Sequence, residues 1–331
     1  MTDRTGAATQ VAVFKETTFN TALAAEKTHQ VPWADAPNLF PRQTRGNVRE
    51  INPNLQPVKL PWGFNENGGS LIVPVENEMV GLLLLCILPG YTYTAGAGPE
   101  HTHDFVPLNT ATPYTLGVQI GDTVADKWDQ MGGLVVASME VDLVQRPEHA
   151  HITWTLEGSG KVHNWNTATQ WAVTPDTYDN DRWHLPDSVL KINTVTCTRV
   201  TEGRFRLSRE VFFSRAVNGD SSCASIVTFG GWNIEGNLTG IWDSAEEIRV
   251  LGHGKSEFRL DYILHHPSDV TQLLTFTMAK CQGFATTHNV QGRRAVEVGL
   301  DWNSYFATSP DNFISAQLKS TVASLSTLWT T

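Results

Sequence analysis

The side chains with the widest chemical scope in this sequence are histidines. His101-x-His103 and His149-x-His151 form two H-x-H pairs, and His265-His266 is a doublet. Residues i and i+2 of a strand share a face, so an H-x-H pair can grip one metal ion. Metal sites built on such a pair add a Glu and a distant His. Here His103 runs into Asp104-Phe105-Val106-Pro107, with no Glu at that short spacing. The competing reading is polar histidines on the wet or interfacial side of strands. Four cysteines (Cys86, Cys197, Cys223 and Cys281) lie far apart without a C-x-x-C pair, which argues against a structural zinc site. Cys86 sits in an apolar run and reads as a small buried hydrophobe. The opening MTDRTGAATQ lacks the charged-then-apolar pattern of a secretory leader, so thiols are expected, with a disulfide left open. No G-x-S-x-G, P-loop, G-x-G-x-x-G or H-E-x-x-H motif occurs. The expectation is a protein that is not an enzyme, with no catalytic, cofactor-binding or metal residues and no cofactor.

The elements that would position these residues are mostly strands. Of the 331 residues 40% are apolar and 18% charged, and the net charge is −10, which excludes a disordered tail or a basic nucleic-acid grip. The apolar run Met79–Leu88 is half the length a membrane span needs, about 20 residues, and reads as core or interface. Residues 1–45 are polar and turn-rich, an extended arm. Gly69–Val75 reads as a strand, and Glu76–Leu88 as a helix stopped by Pro89-Gly90. Tyr114–Ile120, Gly133–Leu143 and His149–Glu157 read as strands. The last alternates Ile152, Trp154 and Leu156 against Thr153, Thr155 and Glu157, a sheet covered on one side only. The stretch 158–187 is long for a connection, and its aromatics (Trp165, Trp171, Tyr178 and Trp183) argue that it packs against something. Strands resume at Val189–Arg199, Arg204–Ser214 and Cys223–Thr228. Ser244-Ala-Glu-Glu247 opens a short helix, Ala245–Leu251, which Gly252 ends. Phe258–Leu264, Leu274–Thr287 and Ala295–Trp302 read as strands, and Asp311–Leu328 as a helix.

The two halves of the chain repeat this order. At a shift of 144 residues Tyr114–Ile120 lies over Phe258–Leu264, Gly133–Leu143 over Thr277–Thr287, and Ile152–Glu157 over Val296–Asp301. Upstream, Gly69-Ser-Leu-Ile with Glu76 and Glu78 aligns with Gly236-Asn-Leu-Thr with Glu246 and Glu247 at a shift of 167. Identities are few, so the match is one of pattern. It predicts two copies of one β-rich unit, each with a single flanking helix.

Several stretches resemble the tail tube proteins of long-tailed bacteriophages. They are the arm Glu16-Thr-Thr-Phe19, the strand–helix block Gly69–Leu88, and His103-Asp-Phe-Val-Pro107 leading to Tyr114-Thr-Leu-Gly-Val. To these are added the strands Gly132–Val141 and His149–Gly160. The likeness covers most of residues 14–160, and the second half follows it more loosely. It implies a mainly β fold of two tandem β-sandwich or half-barrel tube domains, each with a short flanking α-helix. The implied layout is an N-terminal arm (1–45), a first tube domain (46–160), a linker or inter-ring loop (161–188), a second tube domain (189–302) and a C-terminal arm (303–331). It further implies a virion protein made in the host cytoplasm, in trimeric rings of pseudo-sixfold symmetry stacked head to tail into a siphovirus-like tail tube. Implied partners are the tape measure protein, the tail terminator and distal tail or baseplate proteins. Double-stranded DNA would pass through the lumen without specific binding, and no membrane is involved. Open strand edges fit that role, because unpaired edges seek neighbours and a head-to-tail ring closes them. An acidic wall would let DNA slide, since the duplex carries one negative charge per about 1.7 Å. Segments 1–45, 158–187 and 303–331 are expected to carry ring-to-ring contacts, and Thr153, Thr155 and Glu157 to face the lumen.

Three rivals make different predictions. A carbohydrate- or receptor-binding β-sandwich would stack sugars on some of the 11 tryptophans, which here are spread along the chain. A cupin-like metalloenzyme would use His101, His103, His149 and His151. Another virion part, from the head or the head–tail joint, would share composition and differ in symmetry.

Overall fold

The computed structural model describes residues 9–16, 19, 28–32, 37–45, 62–108, 114–122, 127–144, 149–160, 162–167, 176–177, 182–214, 227–241, 247–253, 256–289, 296–305 and 313–328. Strands β1 (Thr9–Lys15), β2 (Thr28–Gln30), β3 (Asn38–Arg45) and β4 (Trp62–Pro74) lead into helix α1 (Asn77–Ile87). A hairpin of β5 (Gly90–Thr94) and β6 (His101–Val106) precedes β7 (Leu116–Asp122), β8 (Lys127–Val144), β9 (His151–Gly158) and β10 (Val162–Thr167). Then come β11 (Val189–Ile192), β12 (Val195–Thr196), β13 (Val200–Phe213), β14 (Val227–Ile241) and α2 (Glu247–His253). The chain closes with β15 (Glu257–His265), β16 (Leu273–Asn289), β17 (Glu297–Ser304), β18 (Ser315–Ser320) and α3 (Leu325–Leu328).

The fold is mainly β, and its strands pair antiparallel throughout. Eight of them form one continuous sheet in the order β3–β4–β9–β8–β13–β14–β17–β16. The two longest strands change partners along their length. The first part of β8 pairs with β7 and β10, and from Leu134 onward it pairs with β9. Likewise β16 pairs β15 over Leu273–Gln282 and β18 over Leu273–Thr277, and it pairs β17 from Cys281. Each long strand therefore belongs to two layers, and the apolar residues lie between them. Gly133 marks the turn in β8: its φ is +67°, and a Cβ there would stand 2.9 Å from Gly160 Cα. Its amide donates to the buried Glu16 carboxylate at 2.8 Å.

The pairing scheme of the first half recurs in the second. The pairs β1–β2, β1–β7, β3–β4, β4–β9, β7–β8, β8–β9 and β8–β10 have counterparts in β11–β12, β11–β15, β13–β14, β14–β17, β15–β16, β16–β17 and β16–β18. Leu116 faces Leu134 across β7–β8, and 144 residues on in both strands Leu260 faces Met278 across β15–β16. Among the described strands the halves pair twice, β8 with β13 and β6 with β18.

Several segments differ from their expected form, among them Val189–Arg199, which is divided into β11 and β12. The helix expected over Asp311–Leu328 is a strand, β18, followed by the short α3. Within β18, Ala316, Leu318 and Ser320 are buried and Ser315, Gln317 and Lys319 less so, because a strand on each side imposes a period of two. The expected arms contribute to the fold: β1 pairs with β7 over seven residues. The connection 158–187 supplies β10 to the edge of β8. Helix α2 runs past Gly252 to His253, while residues 244–246 lie outside the described residues, as do 223–226.

Helix α1 is buried at every position except Glu78, as expected of a helix apolar on all sides. At its N-terminus Glu76 is buried, and desolvation lifts its carboxyl to about 8, with Glu78 adding to the rise and Arg182 opposing it. An unfolded Glu titrates near 4.3, so between those values the folded chain holds a proton that the unfolded chain releases. Stability therefore falls as pH rises through that window, by up to about 1.4 kcal/mol per pH unit. Glu76→Gln should flatten this dependence and gain on the wild type toward pH 8, as read by urea midpoints at pH 5, 6.5 and 8. Equal slopes for the two proteins would count against a buried neutral Glu76.

Candidate functional site

The H-x-H pairs are held by protein groups. On β6, His103 is buried, with Nδ1 2.9 Å from the Tyr91 hydroxyl and Nε2 3.0 Å from the Val322 carbonyl. His101 Nδ1 lies 3.1 Å from the Tyr93 hydroxyl. The ring of His149 rests against His184 at 4.9 Å, and His266 accepts the Ser268 amide at 3.2 Å. The arrangement does not bring His101 and His103 together with His149 and His151: each pair has its own neighbours. Among the described residues no three His, Cys, Asp or Glu side chains form a group that could hold a metal ion.

The two buried thiols, Cys86 and Cys281, are not set up as nucleophiles. Cys86 and Cys281 are buried, Cys197 is partly exposed, and the three are not joined by disulfides. Burial pushes the Cys86 thiol up to about 12 and that of Cys281 higher still. Cys223 lies outside the described residues. The tryptophans Trp128, Trp154, Trp183 and Trp302 are fully buried, so they fill the core and offer no face to a sugar. Trp171 and Tyr178 lie outside the described residues, as does the side chain of Trp165.

What the fold does expose is one face of the eight-stranded sheet. Its other face carries Leu71, Trp154, Met139, Val141, Phe205, Leu207, Leu238 and Leu300 into the core. The exposed face is read from the register. Thr153 faces Glu140, which faces Arg206, which faces Glu235. One row on, Asp142 faces Arg204, then Asn237 and Asp301. Glu202 and Glu297 stand on the same side. Arg204 bonds the Glu140 carboxylate and lies 3.3 Å from Asp142, tying β8 to β13 across the join between the halves. With both groups partly exposed, that pair contributes at most about 1 kcal/mol. These residues give the face six carboxylates against two guanidinium groups, a net −4 of the chain's −10, so the face is acidic. Of the residues expected on it, Thr153 and Thr155 are half-buried and Glu157 is exposed. The acidic pairs came from the same alternation, since Glu140 and Asp142 fill the gaps between Met139, Val141 and Leu143.

Among the described residues the same sheet ends in two open edges. Among the described strands β3 pairs only with β4, and beyond Gly283 β16 pairs only with β17. Each edge carries an exposed aromatic ring, Phe40 at 44% and Phe284 at 62%. Edges of this kind are templates for another strand. Inside the chain, β8 and β13 join through seven facing pairs from Glu202–Val144 to Ser208–Ser138, without a bulge.

A comparison with curated proteins finds no match. A family model described as "Phage tail tube protein" matches residues 6–304.

Proposed function

This chain belongs to the phage tail tube protein family, and on that premise we propose that three copies close into a ring and that rings stack head to tail into the conduit for the genome. As a family member it is a structural virion component that assembles into a tube with other tail proteins. The observation that carries the finer reading is the single eight-stranded sheet, open at β3 and at β16. Two different edges meeting head to tail make a heterologous contact, which closes into a ring when the rotation permits. The recurring strand pairing supports two tube domains per chain, taken as residues 46–160 and 189–302. Three chains then supply six units in pseudo-sixfold order, with the β8–β13 join as the pattern for the join between chains.

The carboxylate-rich face becomes the lumen wall in this reading. Phosphates meet Glu140, Asp142, Glu202, Glu235 and Asp301 without a basic groove to hold them, so DNA passes and is not retained. Contacts between rings are assigned to segments 1–45, 158–187 and 303–331, of which β1–β3, β10 and β18 also serve the fold. Tape measure, terminator and baseplate proteins meet the tube in its lumen and at its ends.

Electron microscopy of the purified full chain, with and without tail-initiation proteins, tests the reading. Hollow tubes or rings with threefold averages are expected. A chain that stays monomeric even when initiation proteins are supplied would overturn it, and strict sixfold averages with one unit per chain would overturn the trimer.

A further inference from the structure

We propose that residues 321–328 are a pH-sensitive clasp, fastened to the first half of the chain by a hydrogen-bond relay through His103. Strand β18 first crosses to β6, where Leu318 faces His103. The segment after it then closes a loop of donors and acceptors. The Leu325 amide donates to the Tyr91 hydroxyl oxygen at 3.3 Å, and that hydroxyl sits 2.9 Å from His103 Nδ1. His103 Nε2 sits 3.0 Å from the Val322 carbonyl. A carbonyl can only accept, so Nε2 carries the hydrogen, Nδ1 accepts, and the Tyr91 hydroxyl donates to it. The relay thus starts and ends on the same segment, three residues apart. Packing completes the clasp: Leu325 is fully buried, and its methyl carbons lie 2.6 and 2.7 Å from where a Cβ on Gly81 of α1 would be.

The relay needs a neutral imidazole. A proton on Nδ1 would turn that acceptor into a donor facing the Tyr91 O–H. The hydroxyl hydrogen would then have to leave the ring for Ser324, the other side chain that hydrogen-bonds Tyr91, and the charged imidazole would stay buried against the stacked Tyr91 ring, their centroids 6.0 Å apart and their planes at 12°. Burial holds the His103 pKa below its ordinary value, with the Val322 bond and Asp104 opposing and His101 adding to the fall. The ionisable groups that meet it are Tyr91, whose hydroxyl bonds it, Tyr93, whose ring centroid lies 5.6 Å away, and His101 and Asp104 on its own strand, while Lys319 on β18 stands opposite Thr102. Of these, Asp104 accepts from Gln317 Nε2 at 2.7 Å. Residues 321–328 bring no ionisable side chain. For a base whose folded pKa is depressed, the released segment binds the proton more readily. The clasp therefore holds fully above the free-histidine value near 6.5 and loosens as pH falls below it, by at most tenfold in the opening equilibrium per pH unit.

Amide exchange of the full chain tests this. Protection of Leu325, corrected for intrinsic exchange, should drop from pH 7.5 to pH 5, by no more than about thirtyfold, while amides of α1 change less. His103→Gln can still donate to Val322 and accept from Tyr91, so its clasp should hold with a flat pH profile. Tyr91→Phe should loosen the segment at every pH. A flat wild-type profile, or a His103→Gln profile as steep as the wild type, would overturn the proposal. Ring nitrogen shifts give a check that needs no variant: at pH 7.5 Nε2–H is expected, and an Nδ1–H tautomer would refute the relay.

Discussion

Phe284→Lys should leave the chain folded and stop it from assembling. The ring is 62% exposed at the open edge of β16, so replacing it should change stability by no more than about 0.5 kcal/mol. A lysine on an edge strand puts a hydrated charge where a second strand must approach, a common device against edge-to-edge pairing. Sedimentation should show monomers under conditions in which the wild type forms tubes. Phe40→Lys, at the β3 edge, should do the same. Mixing the two variants is the more telling experiment. Each retains one good edge, and the two retained edges differ, so a heterologous contact predicts dimers that grow no further. Tubes from either variant alone would show that the seam lies elsewhere.

Gly69→Ala should cost about 3 kcal/mol and detach β3. Gly69 has φ +140°, and a Cβ there would stand 1.7 Å from the Asn38 carbonyl oxygen and 2.8 Å from Leu39 Cα. Both obstacles are backbone atoms of the neighbouring strand, so relief requires β3 to move away from β4. Urea unfolding would read the loss of stability, and exchange of amides 38–43 would locate it. Because β3 is one of the two edges in the assembly reading, this variant should also lose tubes. Protection of β3 equal to the wild type would contradict the close contact.

Some elements were legible because local pattern and final environment agree. Helix α1 is one: Pro89-Gly90 bounds it, and its apolar surface has no solvent face to disguise it. In β8 and β9, Met139, Val141 and Leu143 and Ile152, Trp154 and Leu156 alternate with polar residues, and the sheet has one wet side. Strand β18 was not legible. Ser315-Ala-Gln-Leu-Lys-Ser contains good helix formers, and only β16 and β6 on its two sides make it a strand. The H-x-H pair shows the same divide within one motif. Spacing put His101 and His103 on one face, but the groups that meet them come from Tyr93, from Tyr91 and from Val322, which is 219 residues away from His103.

Alternation along a strand is a local property, and so the β class, the wet side of each strand and the repeat of element order could all be read from the chain alone. Which strand lies beside which is not local, because every strand offers the same backbone donors and acceptors to any neighbour. The join of β8 to β13, the gathering of Glu140, Glu235 and Asp301 on one acidic face, and the two edges left open therefore belong to the tertiary structure. They depend on packing one apolar face of each strand into a common core.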